Sequence, residues 1–184
     1  MVKMIRDNTG RFAERPFYRE RDLDDECERL IRDLLLKRKK KIEYPVSTED
    51  LTVLIEMHDA DLDPYADLSG YGADVEGVTE FFPYRGPKVS ISERIAADER
   101  RENRFRTTLT HEFGHVKFHG PLWAQKFANG DLLERGVAPG CDHPQRGAAH
   151  LPRDVVVVRV VGAVVVVVLL LLLLLRVVVV VVVG

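Results

Sequence analysis

The chain has 184 residues, a net charge of −2 and two cysteines. That length allows one domain with a core of its own, and Cys27 with Cys141 is too few for a disulfide framework. Met1 to Phe17 is mixed and charged with no apolar h-region, so no secretory signal is expected and the domain is expected in the cytoplasm.

Charge is unevenly spread. Lys and Arg are absent from Ile42 to Tyr84, which holds eleven Asp or Glu, and the cluster Lys37-Arg38-Lys39-Lys40-Lys41 stands just before it. With no aromatic residues interleaved, that cluster reads as a solvated helix C-terminus, where cations favour the macrodipole, and no direct nucleic-acid contact is expected.

Residues 18–39 predict an amphipathic helix, with Leu23, Cys27, Leu30, Ile31, Leu34 and Leu35 at helical spacing and Pro45 breaking it off. Cys27 falls on the apolar face as a small core residue. Ser47 followed by Asp50 is an N-cap signal for a second helix over 48–58, with Leu51, Leu54 and Ile55 inward. Asp59, Asp61 and Asp63 have the spacing that opens a calcium loop, but Pro64 replaces the glycine and Gly70 stands where the closing Glu belongs, so a solvated acidic turn is expected. Residues 73–82 and 88–91 predict two strands joined across Pro83 to Pro87. A helix over about 100–119 follows, ended by Gly120-Pro121, with a short further helix around 122–128.

The 100–119 helix carries the chemistry. His111-Glu112-Phe113-Gly114-His115 is His-Glu-x-x-His, and one helical turn puts both imidazoles on one face, within reach of one metal ion. Glu112 lies beside them, able to take a proton from a metal-bound water. Zinc held by neutral imidazoles with an open position lowers the pKa of that water towards ~7 and polarises a carbonyl. Phe105, Leu109, Phe113 and Val116 form a core-facing stripe, while Arg104, Thr108, His111, His115 and His119 share another face. Gly114 points away from both and suits close packing. This pattern points to a zinc metallopeptidase with His111 and His115 as ligands and Glu112 as general base.

The run from Arg101 to His119 resembles the active-site helix of the ImmA/IrrE metallo-endopeptidase family, and Asp74–Thr79 with Pro87–Ser92 resembles the short strands before it. The resemblance covers roughly residues 45–141. It implies a zincin-like α+β domain with a short sheet beside the His-Glu-x-x-His helix, over about residues 1–150. It further implies cytoplasmic zinc-dependent proteolysis, often of a helix-turn-helix transcriptional repressor, and a third zinc ligand that is a Glu on a later helix.

No segment like that later helix follows here. Glu134 is the only Glu after His115, and turns at Gly120-Pro121 and Asn129-Gly130 would have to return it to the site. On a straight helix His119 lies about 12 Å along the axis from His111, so it cannot share the ion unless the helix breaks. Asp142, His143 and His150 lie in an irregular stretch. Residues 151–184 form a low-complexity Val/Leu tail, with sixteen apolar residues from Val160 to Leu175 between Arg159 and Arg176. Shifted or repeat-derived coding would produce such a tail, and so would a single C-terminal membrane anchor, which needs about 17–25 apolar residues. Three functions follow: a zinc endopeptidase, a catalytically incomplete relative acting as a binding module, and a membrane-tethered metalloprotease.

Overall fold

The structure, a computed structural model, describes residues 3–130 and 156–159. The leucine spacing in the first predicted helix produces α1 (Glu20–Lys39), which buries Cys27, Leu30, Ile31, Leu34 and Leu35. Lys40 ends it in the left-handed region, at φ 58°. The stop is therefore a C-terminal turn five residues before Pro45, and not the proline.

The second helix, α2 (Thr48–Glu56), begins as the capping signal predicts. Ser47 Oγ accepts from the Asp50 N–H at 3.1 Å, and the Ser47 N–H donates back to Asp50 Oδ2 at 3.2 Å. Asp50 is fully buried and also takes Lys39 Nζ at 2.6 Å and the Arg38 guanidinium. Two members of the basic cluster are thus joined to a buried carboxylate, and only part of the cluster is free solvated charge.

Three strands were not legible in the sequence. Strands β1 (Lys3–Arg6) and β2 (Glu14–Phe17) form an antiparallel hairpin. Its loop is organised by Asp7, whose carboxylate accepts from Thr9 N, Thr9 Oγ1 and Phe12 N. The acidic turn expected around Asp61 is in fact a strand, β3 (Asp61–Ala66). It lies at the sheet edge, with a register shift between Asp63 and Ala66. Pro64 falls in that irregular stretch, and an edge position and a bulge are the two places where a strand tolerates a residue with no N–H.

The predicted strand pair is present as β4 (Gly77–Phe81) and β5 (Lys88–Ser92), antiparallel, with Thr79 opposite Val89. Together with β6 (Val156–Arg159) they complete a four-stranded sheet of order β3-β5-β4-β6. β3 runs parallel to β5, and β6 runs antiparallel to β4. Four residues of the apolar tail are therefore a strand. The rest of the tail lies outside the described residues, and among the described residues no helix is long and apolar enough to cross a membrane.

After a short helix α3 (Glu93–Ala96) comes α4 (Glu102–Gly114), which runs into a π turn over His115–His119 and then α5 (Gly120–Ala128). Gly120-Pro121 does not end the helical path. Pro121 sits in the first turn of α5, where its missing N–H costs nothing, and the Gly120 N–H reaches back to His115 O. A proline ring crowds the carbonyl four residues before it, and opening the preceding turn to i→i+5 bonding relieves that crowding.

The main core lies where α1, α2 and α4 meet β5. Leu34, Leu35, Leu54, Ile55, Val89, Ile91 and Leu109 are buried there, with Phe113 and Val116 from the predicted stripe. A smaller aromatic cluster of Phe81 and Trp123, with Phe12 and Phe127 against it, ties the hairpin and α5 to the end of β4. The fold is α+β, as the sequence predicts.

Candidate metal centre

Helix α4 is held from three sides. Its apolar stripe is in the core, with Leu109 fully buried. Arg106 donates to Val46 O at 2.7 Å and to Thr48 Oγ1 at 3.0 Å, which ties the helix to the start of α2. Arg104 pairs with Glu76 at 2.6 Å, which ties it to the approach to β4. Arg104 thus belongs to a helix-to-strand contact, although it shares the histidine face in the sequence reading. Gly114 is buried.

His111 and His115 are brought together. Their Nε2 atoms lie 3.1 Å apart, with ring centroids 4.8 Å apart. Two imidazole nitrogens bound at roughly 2.0–2.1 Å to one tetrahedral zinc stand about 3.3–3.4 Å from each other, so the pair fits that ion in donor type and spacing. Burial lowers the pKa of His111. Burial, reinforced by His119 and His111, holds His115 down at about 3. Both rings are therefore neutral at pH 7, the form with a lone pair to offer a metal.

Glu112 points from the same turn to β4. It has no exposed surface, and its Oε2 accepts from Thr79 Oγ1 at 2.6 Å. Oε1 is buried and has no hydrogen-bond partner among the described residues. Burial pushes the carboxyl up to about 8, against the Thr79 hydrogen bond, which pulls it down. A buried oxygen left unpaired costs about 1–3 kcal/mol, and such a group calls for a reason.

Gly77 makes the room for that carboxyl. A Cβ at this position would lie 2.5 Å from Glu112 Oε1, 2.9 Å from its Cδ and 2.8 Å from Thr108 Cγ2. Gly77 and Thr79 are thus site residues that the sequence reading did not name. The signal was there: a glycine in a strand, here the first residue of β4, marks a close approach by another chain segment.

The π turn brings in His119. In an unbroken α-helix, eight residues leave His119 about 80° round from His111. A π turn advances about 80° per residue and cancels most of that offset. His119 Nδ1 lies 2.8 Å from His115 Nδ1, the nitrogen turned away from His111. Even so, among the described residues no group of three His, Cys, Asp or Glu side chains is placed to hold one ion. Glu134, Cys141, Asp142, His143 and His150 lie outside the described residues.

The chemistry within reach is that of two neutral imidazoles facing one point, beside a carboxyl with one oxygen tethered and the other unpartnered. No protein-family model, curated protein or solved structure matches the chain.

Proposed function

We propose that this chain is a zincin-like, zinc-dependent endopeptidase domain of the ImmA/IrrE type, with His111 and His115 as ligands and Glu112 as general base. The observation that carries the reading is the 3.1 Å approach of the two Nε2 atoms on the helix that also buries Glu112. Zinc, when bound, supplies Lewis-acid chemistry, polarising a carbonyl oxygen and making water a nucleophile near neutral pH.

The protein's own residues supply the rest. Thr79 holds Oε2, so the Glu112 carboxyl has one orientation, and Oε1 is the atom that would receive a proton from water once a cation beside it offsets the rise in pKa that burial causes. The same oxygen then returns the proton to the leaving amine as the peptide bond breaks. General-base help of this kind contributes about 10²–10⁴ in rate. The family resemblance makes a cytoplasmic helix-turn-helix repressor the substrate to try.

One observation favours a second reading, a catalytically incomplete relative that binds a partner: the described residues provide two ligands and not three. Glu112→Gln separates the two. It keeps the side chain's shape and removes the base, so an enzyme loses about 10²-fold or more in cleavage at unchanged zinc content. His111→Ala should lose the zinc itself. Zinc content equal in wild type, His111→Ala and His115→Ala would remove the metal site, and cleavage that survives Glu112→Gln would remove the mechanism.

A further inference from the structure

The three histidines of this helix form one hydrogen-bonded chain. His111 Nε2 meets His115 Nε2 at 3.1 Å, and His115 Nδ1 meets His119 Nδ1 at 2.8 Å. A neutral imidazole carries one proton on its two nitrogens. A 2.8 Å contact between two such nitrogens therefore needs a single hydrogen between them, donated by one ring and accepted by the other. Two arrangements of the chain satisfy this. In one, His115 donates from Nδ1 to His119 and keeps a lone pair on Nε2, which accepts from the His111 Nε2–H in the metal-free protein; for a metal to bind both rings, that His111 proton must move to its Nδ1. In the other, His119 donates to His115, whose proton then sits on Nε2 and blocks that side.

We propose that His119 is a positioning residue for the metal pair: it accepts the Nδ1–H of His115 and holds that ring in the tautomer whose Nε2 lone pair faces His111. This rests on the metal reading given above. His119 is not a third ligand, because it meets His115 on the nitrogen that points away from His111. A ligating histidine normally gives its second N–H to a fixed acceptor, and that acceptor sets both ring orientation and tautomer. Here the acceptor is an imidazole on the same helix, set in line by the π turn. The two rings are tilted by 35° to each other, with centroids 4.9 Å apart.

Nitrogen-detected NMR of the histidine rings, with and without zinc, tests this alongside zinc titration of the full chain. Zinc-loaded wild type should show a slowly exchanging, downfield Nδ1–H on His115. His119→Ala should lose that signal and weaken zinc binding about 10–100-fold, the usual cost of removing such a partner. His119→Asn places a carbonyl oxygen near the position of Nδ1 and should restore the signal and most of the affinity. Equal zinc affinity in wild type and His119→Ala would overturn the proposal. So would loss of zinc in His119→Ala as complete as in His115→Ala with no rescue by asparagine, which would make His119 a ligand. If wild type itself binds no zinc, the metal reading fails and takes this role with it. The Nδ1–H contact in the metal-free protein then still reports whether the two rings are joined.

Discussion

Gly77→Ala is the sharpest probe of how β4 and α4 fit together. Gly77 has no positive φ among the described glycines, so alanine meets no backbone strain there. Reduced freedom of the unfolded chain would by itself stabilise the variant by about 0.4–1 kcal/mol. Packing acts the other way. The new methyl would stand 2.5 Å from Glu112 Oε1 and 2.8 Å from Thr108 Cγ2, far inside ordinary contact. Neither group swings away freely, because Glu112 is fully buried and held by Thr79, and Thr108 Oγ1 donates to Arg104 O at 3.0 Å. Overpacking of this kind costs about 1–3 kcal/mol, and pushing the carboxyl off Thr79 adds about 1 kcal/mol. The net loss should be about 1–3 kcal/mol, read as a lower denaturation midpoint at unchanged m. A double-mutant cycle identifies the cause: with Glu112→Ala the clash with the carboxyl is gone, and the cost of Gly77→Ala should fall by about 1 kcal/mol or more. A Gly77→Ala cost within a few tenths of a kcal/mol in both backgrounds would refute this account of the glycine.

Thr79→Val keeps the shape and removes the hydroxyl, leaving both Glu112 oxygens unpaired. It should cost about 1–3 kcal/mol in unfolding free energy, and a neutral result would show the Thr79 contact to be incidental. Leu54→Ala, and Leu30→Ala on the facing helix, should each cost about 2–5 kcal/mol, since both side chains are in the main core; unchanged midpoints would expose those faces as surface. Burial pushes Asp50 up, but hydrogen bonds from Lys39 and Ser47 outweigh it and hold the carboxyl at about 2, below its ordinary 3.8. Its stabilising share, about 2 kcal/mol, is therefore complete above pH ~4 and is lost as pH falls towards 2. Asp50→Asn should flatten that part of the acid-unfolding profile, and an identical profile in the variant would remove Asp50 as its source.

The sequence was most informative where one physical signal dominated. Leu30, Leu34 and Leu54 recur with helical period against a polar background, and α1 and α2 lie where that period places them. His111 and His115 meet because spacing on a helix is geometry, independent of what surrounds it. Elsewhere two local signals competed and the weaker one described the fold. Asp61 to Asp67 has the composition of a turn, yet pairing with β5 draws Asp61–Ala66 into an edge strand that tolerates its proline. Gly120-Pro121 has the chemistry of a helix stop, yet the chain widens into a π turn and continues as α5. The roles of Gly77 and Thr79 were illegible for a different reason. They exist only in relation to Glu112, more than thirty residues away in the chain.

Glu112 is where stability and chemistry diverge. The position faces β4 with no solvent contact, against Gly77 and Thr79. A sequence selected for packing alone would place leucine or methionine there, avoiding the desolvation of a carboxyl and the unpaired Oε1. The chain instead keeps the acid and shapes the strand around it. Gly77 gives up a side chain so that Oε1 fits, and Thr79 gives its hydroxyl to Oε2. The helix meanwhile lines up three histidines over its next turns, the last of them brought round by the π segment that also accommodates Pro121. Each of these features costs stability or leaves a polar group unsatisfied, and all of them converge on one turn of α4. Local rules broken together at one place, with the surrounding core intact, are what a functional site looks like in an otherwise consistent fold.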